Sequence, residues 1–292
     1  MRWIAAVLLA SLALPLQAMN LVATTPSMGL LAQSVGGNDV NVTVLAPPDR
    51  DAHFLTARPS MIAATRRADL VIAVGADLEI GWLPAVLDSA ANLRVLPGRP
   101  GYFEAADHVT LIDVGTPADR ALGDVHPHGN PHFNLDPLRM ARLAHALAER
   151  MAMLDEANGS IYRANAAHFA DRIEARLPDW QARAAGAPGI LIYHKDANYL
   201  AERLGVPILG YIEPLPGIPP SARHLRGLVD ELRGEQGVVL HANYQPDRGP
   251  RFMARELDWP RHSLPVEPPL GAGIEEYLEL IERWVEAIAS AR

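Results

Sequence analysis

Four short segments each set a metal-ligand side chain where a divalent-cation site would need one. They are Asp51-Ala52-His53, the stretch 130–137 around His132, Tyr193-His194-Lys195-Asp196, and Pro265-Val266-Glu267-Pro268-Pro269. The chain has no cysteine, so thiolate ligation and disulfides are both excluded and any such site rests on imidazole and carboxylate. Neutral imidazole is the commonest protein ligand for zinc.

Each residue also has a bland reading. His53 follows Pro47-Pro48-Asp49-Arg50-Asp51, a loop after an expected strand, where α/β folds present ligand groups; it reads equally as a solvated histidine. Asp49 and Asp51 either orient it or cap the next helix. His126, His128 and His132 fall within seven residues, and Pro127, Gly129 and Pro131 make the segment a loop. Phe133, Leu135 and Asp136-Pro137 then lead into a helix, which makes His132 the expected fixed ligand of the three. His126 and His128 read as auxiliary capture groups or as inert exposed residues. His194 closes an apolar strand at its carboxyl end, as a site residue or as a partner of the loop backbone. Glu267 stands in a proline-rich turn, where by itself it reads as an ordinary carboxylate.

The elements that must position these residues alternate along the chain. Compact apolar runs at 20–24, 41–45, 70–74, 93–95, 189–193, 208–211 and 237–241 read as strands. Helical periodicity marks 28–35, 60–67, 138–153, 161–185 and 274–289. That alternation predicts an α/β fold class of two α/β lobes, with the metal site in the cleft between them. The long stretch 161–185, interrupted only by Pro178, is expected as a connecting helix, kinked at that proline. Residues 214–220, rich in proline and glycine, must be a loop, and the final helix is expected to pack on the second lobe.

Composition narrows the function. Residues 1–18 read as a secretory signal peptide, with Arg2 before an apolar run and a small-residue cleavage site at Leu16-Gln17-Ala18. The expected organisation is signal peptide 1–18, N-terminal lobe 19–155, connecting helix 156–186 and C-terminal lobe 187–292. Without cysteine there is no residue for a lipid anchor, so a freely diffusing periplasmic monomer is expected. The formal charge of -8 and the lack of a basic cluster leave no footprint for nucleic acid or anionic lipid.

Over nearly the whole mature chain the sequence resembles the metal-binding solute receptors of ABC uptake transporters, the group that includes zinc and manganese receptors. The resemblance is carried by Ala68-Asp69-Leu70-Val71-Ile72 with Gly75 and Leu78-Glu79, by 130–137, by Tyr193-His194 with Asp196-Ala197, by the 213–221 loop, and by Pro269-Leu270-Gly271. It implies two ligands from each lobe: His53 and His132, then His194 and Glu267. The family usually has aspartate where Glu267 stands, and Pro268 beside Pro269 shifts the register by one. It also implies capture of a divalent metal ion and delivery to an ABC transporter permease, with no enzymatic activity.

Three imidazoles and one carboxylate favour Zn2+ over Mn2+, whose receptors in this family use a second carboxylate; nickel and copper would also bind by raw affinity. The competing reading is a secreted zinc-dependent hydrolase built on His126, His128 and His132, although the segment offers no aspartate at the offset such an enzyme needs. A metal-binding adhesin-like module would share all the same ligands.

Overall fold

The computed structural model describes residues 18–115, 126–215 and 217–291. The signal-peptide reading at 1–18 therefore lies almost wholly outside the described residues. Among the described residues no helix is long and apolar enough to cross a membrane.

Two four-stranded, all-parallel sheets form the frame. The first orders its strands β2-β1-β3-β4, from β1 (Met19–Ala23), β2 (Val40–Val44), β3 (Leu70–Ala73) and β4 (Tyr102–Glu104). The second repeats that pattern as β6-β5-β7-β8, from β5 (Ile190–Ile192), β6 (Ile208–Tyr211), β7 (Val238–Ala242) and β8 (Arg261–Leu264). In both sheets the chain changes direction beside the first strand, and the crevice at the carboxyl ends is where such sheets bind ligands. Two lobes of this kind with a long linking helix match the fold class expected from sequence.

Period-two alternation decides which way each strand faces. Leu21, Leu70, Ile72, Ile190, Ile192, Val238 and Leu240 point into one buried cluster that runs unbroken through both lobes. Their neighbours Val22 and Val71 pack outward under the helices α2 (Pro59–Arg67) and α3 (Leu83–Ala90), with Trp82 and Leu83. Leu191 and Val239 do the same in the second lobe, under α7 (Ala222–Leu232) and α8 (Arg248–Leu257), with Met253 and Trp259.

The helix α5 (Gly159–Ala184) links the lobes and, at about 39 Å, spans much of the molecule. Pro178 sits inside it. It packs along α4 (Pro137–Leu154) and also meets α1 (Pro26–Gly36), α6 (Asn198–Leu204) and α9 (Ile274–Ala289). α9 packs on the second lobe as expected, through Trp284 donating to Pro265 O at 2.8 Å. It also crosses to the first, where Tyr277 donates to Asn134 O at 2.9 Å. A buried carboxylate ties the lobes again: Asp136 caps α4 and accepts from Arg139 on its own helix and from Arg203 on α6.

Two strand expectations need correction. Residues 93–95 form a 3-10 turn capped by Asn92, whose Oδ1 accepts from Arg94 N; the fourth strand lies later, at Tyr102–Glu104. The edge strand β8 reads Arg-His-Ser-Leu and escaped notice because an edge strand half open to solvent carries no apolar run. The segment 189–193 shortens to Ile190–Ile192, and the final helix is Ile274–Ala289 as expected.

Candidate metal centre

Every residue of interest follows a strand at its carboxyl end. His53 comes after β2, His126 and His132 after β4, His194 and Asp196 after β5, Glu213 after β6, Tyr244 after β7 and Glu267 after β8. The two lobes therefore present their ligand-bearing loops to one cleft.

Within it four imidazoles meet. Ring centroids lie 5.1 Å apart for His53 and His126, 5.2 Å for His53 and His132, 4.9 Å for His132 and His194, and 6.0 Å for His53 and His194. His53 Nε2 is 2.9 Å from His126 Nε2, and His194 Nε2 is 3.0 Å from His132 Nε2. Two sets of three, His53 with His126 and His132, and His132 with His194 and Asp196, bring their ligand atoms within 4.8 Å of one another.

The opposite ring nitrogens fix the tautomers. His53 Nδ1 is 2.6 Å from Asp51 Oδ1, His126 Nδ1 is 3.0 Å from Ala76 O, and His194 Nδ1 is 2.7 Å from Glu213 Oε2. A carbonyl or carboxylate oxygen only accepts, so these three Nδ1 atoms carry the proton and a neutral ring leaves its Nε2 lone pair bare. Each of these Nε2 atoms lies about 3 Å from the Nε2 of another imidazole, where a cation could draw on the ligand nitrogens of both rings. A tetrahedral zinc with bonds of 2.0–2.1 Å would set its ligand nitrogens roughly 3.3–3.4 Å apart, a small adjustment from these separations.

The electrostatics suit a cation. Burial and the neighbouring imidazoles hold His132 well below the usual histidine range, and burial with the His53 charge lowers His126 to about 4. His194 is also penalised by burial, yet the Glu213 hydrogen bond and the charges of Asp196, Glu213 and Asp51 outweigh that and raise it. Burial pushes Asp51 up, but its hydrogen bond and charge interaction with His53 prevail and its pKa is lowered. Asp196, raised by burial, accepts from Gln245 Nε2 at 2.7 Å.

Glu267 is placed differently from the three expected histidines. It shares a cavity of about 30 Å³ with His53, His132, Asp196 and Tyr244. That is the room of a single ion or water and far below an organic ligand site. Yet Glu267 belongs to neither close set of ligand atoms. Its Oε2 accepts from Ser27 N at 2.6 Å and Ser27 Oγ at 2.5 Å, at the start of α1 in the opposite lobe. Burial raises it to about 7 against the lowering effect of those bonds.

Supporting residues hold the loops. Asn130, buried, accepts from His132 N at 2.9 Å and donates to Lys195 O at 3.1 Å, joining the two ligand loops across the cleft. Glu79, also buried, accepts from Thr24 Oγ1, Val74 N and Gly75 N. It anchors a turn in which Gly75, Ala76 and Asp77 all take positive φ, at 84°, 47° and 68°. Sequence reasoning weighed Asp51 as a partner of His53 and left His126 and His128 undecided. His128 stays exposed, 2.8 Å from Asp77 Oδ2. Asp49 is not among the hydrogen-bond partners of His53 and lines a separate groove with Glu276 and Arg283. Glu213 was missed as the orienting partner of His194, and its place in the proline-rich loop gave no local signal.

Comparison with known proteins agrees with this architecture. The family model described as ZnuA, zinc-uptake complex component A, periplasmic, matches residues 21–291. The high-affinity zinc uptake system protein ZnuA of Paracoccus denitrificans is 27% identical over 300 residues, covering 92% of this chain and 90% of that protein. ZnuA of Yersinia pestis is 24% identical over 292 residues, with 94% and 91% covered. In fold the chain is similar to the solute-binding protein FpvC of Pseudomonas aeruginosa in complex with Mn2+, with a TM-score of 0.79 at 22% identity, covering 93% of this chain and 97% of that one. Taken with the two-lobed fold and the converging imidazoles, the match over nearly the full length shows that this chain belongs to the family of periplasmic zinc-uptake components, metal-binding proteins rather than enzymes.

Proposed function

We propose that the protein captures a divalent metal ion in the periplasm, zinc first, and hands it to the membrane permease of an ABC transporter. The observation that carries this reading is the convergence of His53 and His132 from the first lobe with His194 from the second, their ring centroids 4.9–6.0 Å apart. A divalent cation among these rings would engage ligand nitrogens from both lobes at once. His53 and His132 from the first lobe and His194 from the second serve as ligands, and the fourth position has two claimants, Glu267 and His126. Nitrogen-rich ligation favours zinc, nickel or copper over manganese.

A hydrolytic zinc needs a corner open to water. A cavity of about 30 Å³ walled by protein on both sides supports storage and transfer instead. The core running through both lobes and the α5 link favour release by loop displacement on the permease over wide opening of the cleft. Secretion through the leader at 1–18 and operation as a monomer complete the reading.

The test is addition of one equivalent of zinc to metal-free protein, following stoichiometry and melting temperature in the wild type, His132→Ala and His194→Ala. One tight site and an upward shift are expected, about 2.7 kcal/mol at 100 times Kd, lost in both variants although they lie in different lobes. A hydrolase on the 126–132 loop would survive His194→Ala and would cleave a generic ester or lactam. Either result, or no stabilisation of the wild type, overturns the reading.

A further inference from the structure

Resting on the metal-capture reading, we infer that Asp113 is a positioning residue for the ion: its carboxylate clasps loops of opposite lobes beside two ligands and so sets how long the ion stays. Asp113 Oδ2 accepts from Asn198 Nδ2 at 3.0 Å and from Asn130 Nδ2 at 3.4 Å, with Lys195 Nζ 3.5 Å away. Those donors stand beside the imidazoles. Asn130 Oδ1 takes His132 N at 2.9 Å, Lys195 directly follows His194 in the chain, and Asn198 opens α6 four residues after His194. One oxygen from the first lobe therefore ties down the neighbours of a ligand on each side of the cleft.

The backbone carries a cost at this residue that no helix end accounts for. Among the described residues, five that are not glycine take positive φ. Ala91 and Asp258 do so as helix C-caps, where that conformation is routine. Ala76 and Asp77 belong to the turn anchored by Glu79. Asp113, at φ 57°, ends no helix. Aspartate is one of the few side chains that tolerate this region, and backbone strain held in place beside a binding site points to function.

The segment around Asp113 is braced as a unit. Asn130 N donates to Ile112 O at 2.8 Å and Gly115 N to Pro127 O at 3.1 Å, so 112–115 lies alongside 127–130, the approach to His132. From the second lobe, the Tyr199 hydroxyl donates to Asn130 O at 2.6 Å and accepts from Ile112 N at 3.1 Å. Asn198 Nδ2 also donates to Tyr211 Oη at 3.0 Å, which holds that amide facing Asp113. The Lys195–Asp113 pair, about one-third exposed on both sides, contributes little by itself, so the weight falls on the two amide donors. Tyr199 docks the segment whether or not the carboxylate is present. Loss of Asp113 should therefore show in retention of the ion and not in the fold.

The experiment uses the full chain with zinc alone. Zinc-loaded protein is mixed with excess chromophoric chelator and the release rate is read by stopped flow, beside Kd and the melting temperature of the metal-free form. Asp113→Gly adopts the same backbone without cost and removes the carboxylate. It should release zinc about tenfold faster, the lower end of what losing an outer partner of a ligand costs, with the metal-free melting temperature unchanged. Asp113→Asn keeps an acceptor for Asn198 and tolerates the same φ, and should recover most of the residence time. Asn198→Ala should speed release alone, yet add less than about twofold to Asp113→Gly, since both remove the same bond. Unchanged release from Asp113→Gly, an effect confined to its melting temperature, no recovery in Asp113→Asn, or additive effects in the double variant overturns the inference. Failure of the metal-capture reading is seen separately, as absence of tight zinc binding in the wild type.

Discussion

Replacing Glu213 by Gln tests how the cleft tunes a ligand it does not itself provide. Glu213 uses both oxygens: Oε2 takes the Nδ1 proton of His194 at 2.7 Å, and Oε1 takes Gly217 N at 2.9 Å. Glutamine has one acceptor, so one bond must go. Gly217 is exposed and His194 is 10% exposed, so water replaces the lost partner at Gly217 and the amide oxygen stays on the imidazole. The tautomer survives and the charge does not. Loss of an outer carboxylate on a metal-bound histidine costs about 10- to 100-fold in affinity, or about 1.4–2.7 kcal/mol, and retention of the hydrogen bond places this variant near the lower figure.

A second effect opposes the first. Glu213 is a leading reason that His194 titrates above the usual histidine range, and a protonated ring cannot bind metal, so each pH unit below that pKa lowers apparent affinity about tenfold per proton. In the variant, burial acts against fewer negative charges and the pKa falls, which weakens proton competition. The deficit should therefore be near tenfold at about pH 8 and shrink towards pH 6. Competition with a chromophoric zinc chelator at both pH values reads this directly. Equal affinity of variant and wild type at pH 8, or a deficit that grows on acidification, would refute the assignment of Glu213 as the group that orients and charges His194.

Two further outcomes follow from the same geometry. Because His126 and His132 are held neutral and only His194 is raised, zinc binding near neutral pH should release a fraction of one proton, increasing as pH falls through the histidine range; calorimetry in buffers of different ionisation enthalpy measures it. Asp136→Asn should destabilise the fold by about 3–5 kcal/mol, as expected when a buried ion-pair partner is removed, since Arg139 and Arg203 both converge on that carboxylate; urea unfolding checks it.

His132 and His194 were legible in the sequence because each is locked by its neighbours, one between a loop and the start of a helix, the other at the end of an apolar strand. His53 was legible through Asp51, two residues away, within reach of any short turn. His126 was not, because its position depends on a carbonyl at Ala76, fifty residues earlier, and on the unusual backbone there. Glu267 read from its surroundings as an ordinary carboxylate and was implied as a ligand only by the family resemblance; its hydrogen bonds to Ser27, at the other end of the chain, had no signal in sequence. Among the strands, β8 hid because its polar residues face solvent at the sheet edge, and β4 because three residues are too few to show a period. Local chemistry was readable; pairings across the cleft were decided by packing that no window of sequence contains.

The apolar interior is a single body, with Ile72 of the first sheet and Leu240 of the second belonging to one cluster. A chain built this way cannot hinge without tearing hydrocarbon contacts, each buried side chain costing roughly 1.5–3 kcal/mol to expose. On the proposed function, an ion would then have to come and go with the two lobes held together, the architecture staying intact between one round and the next.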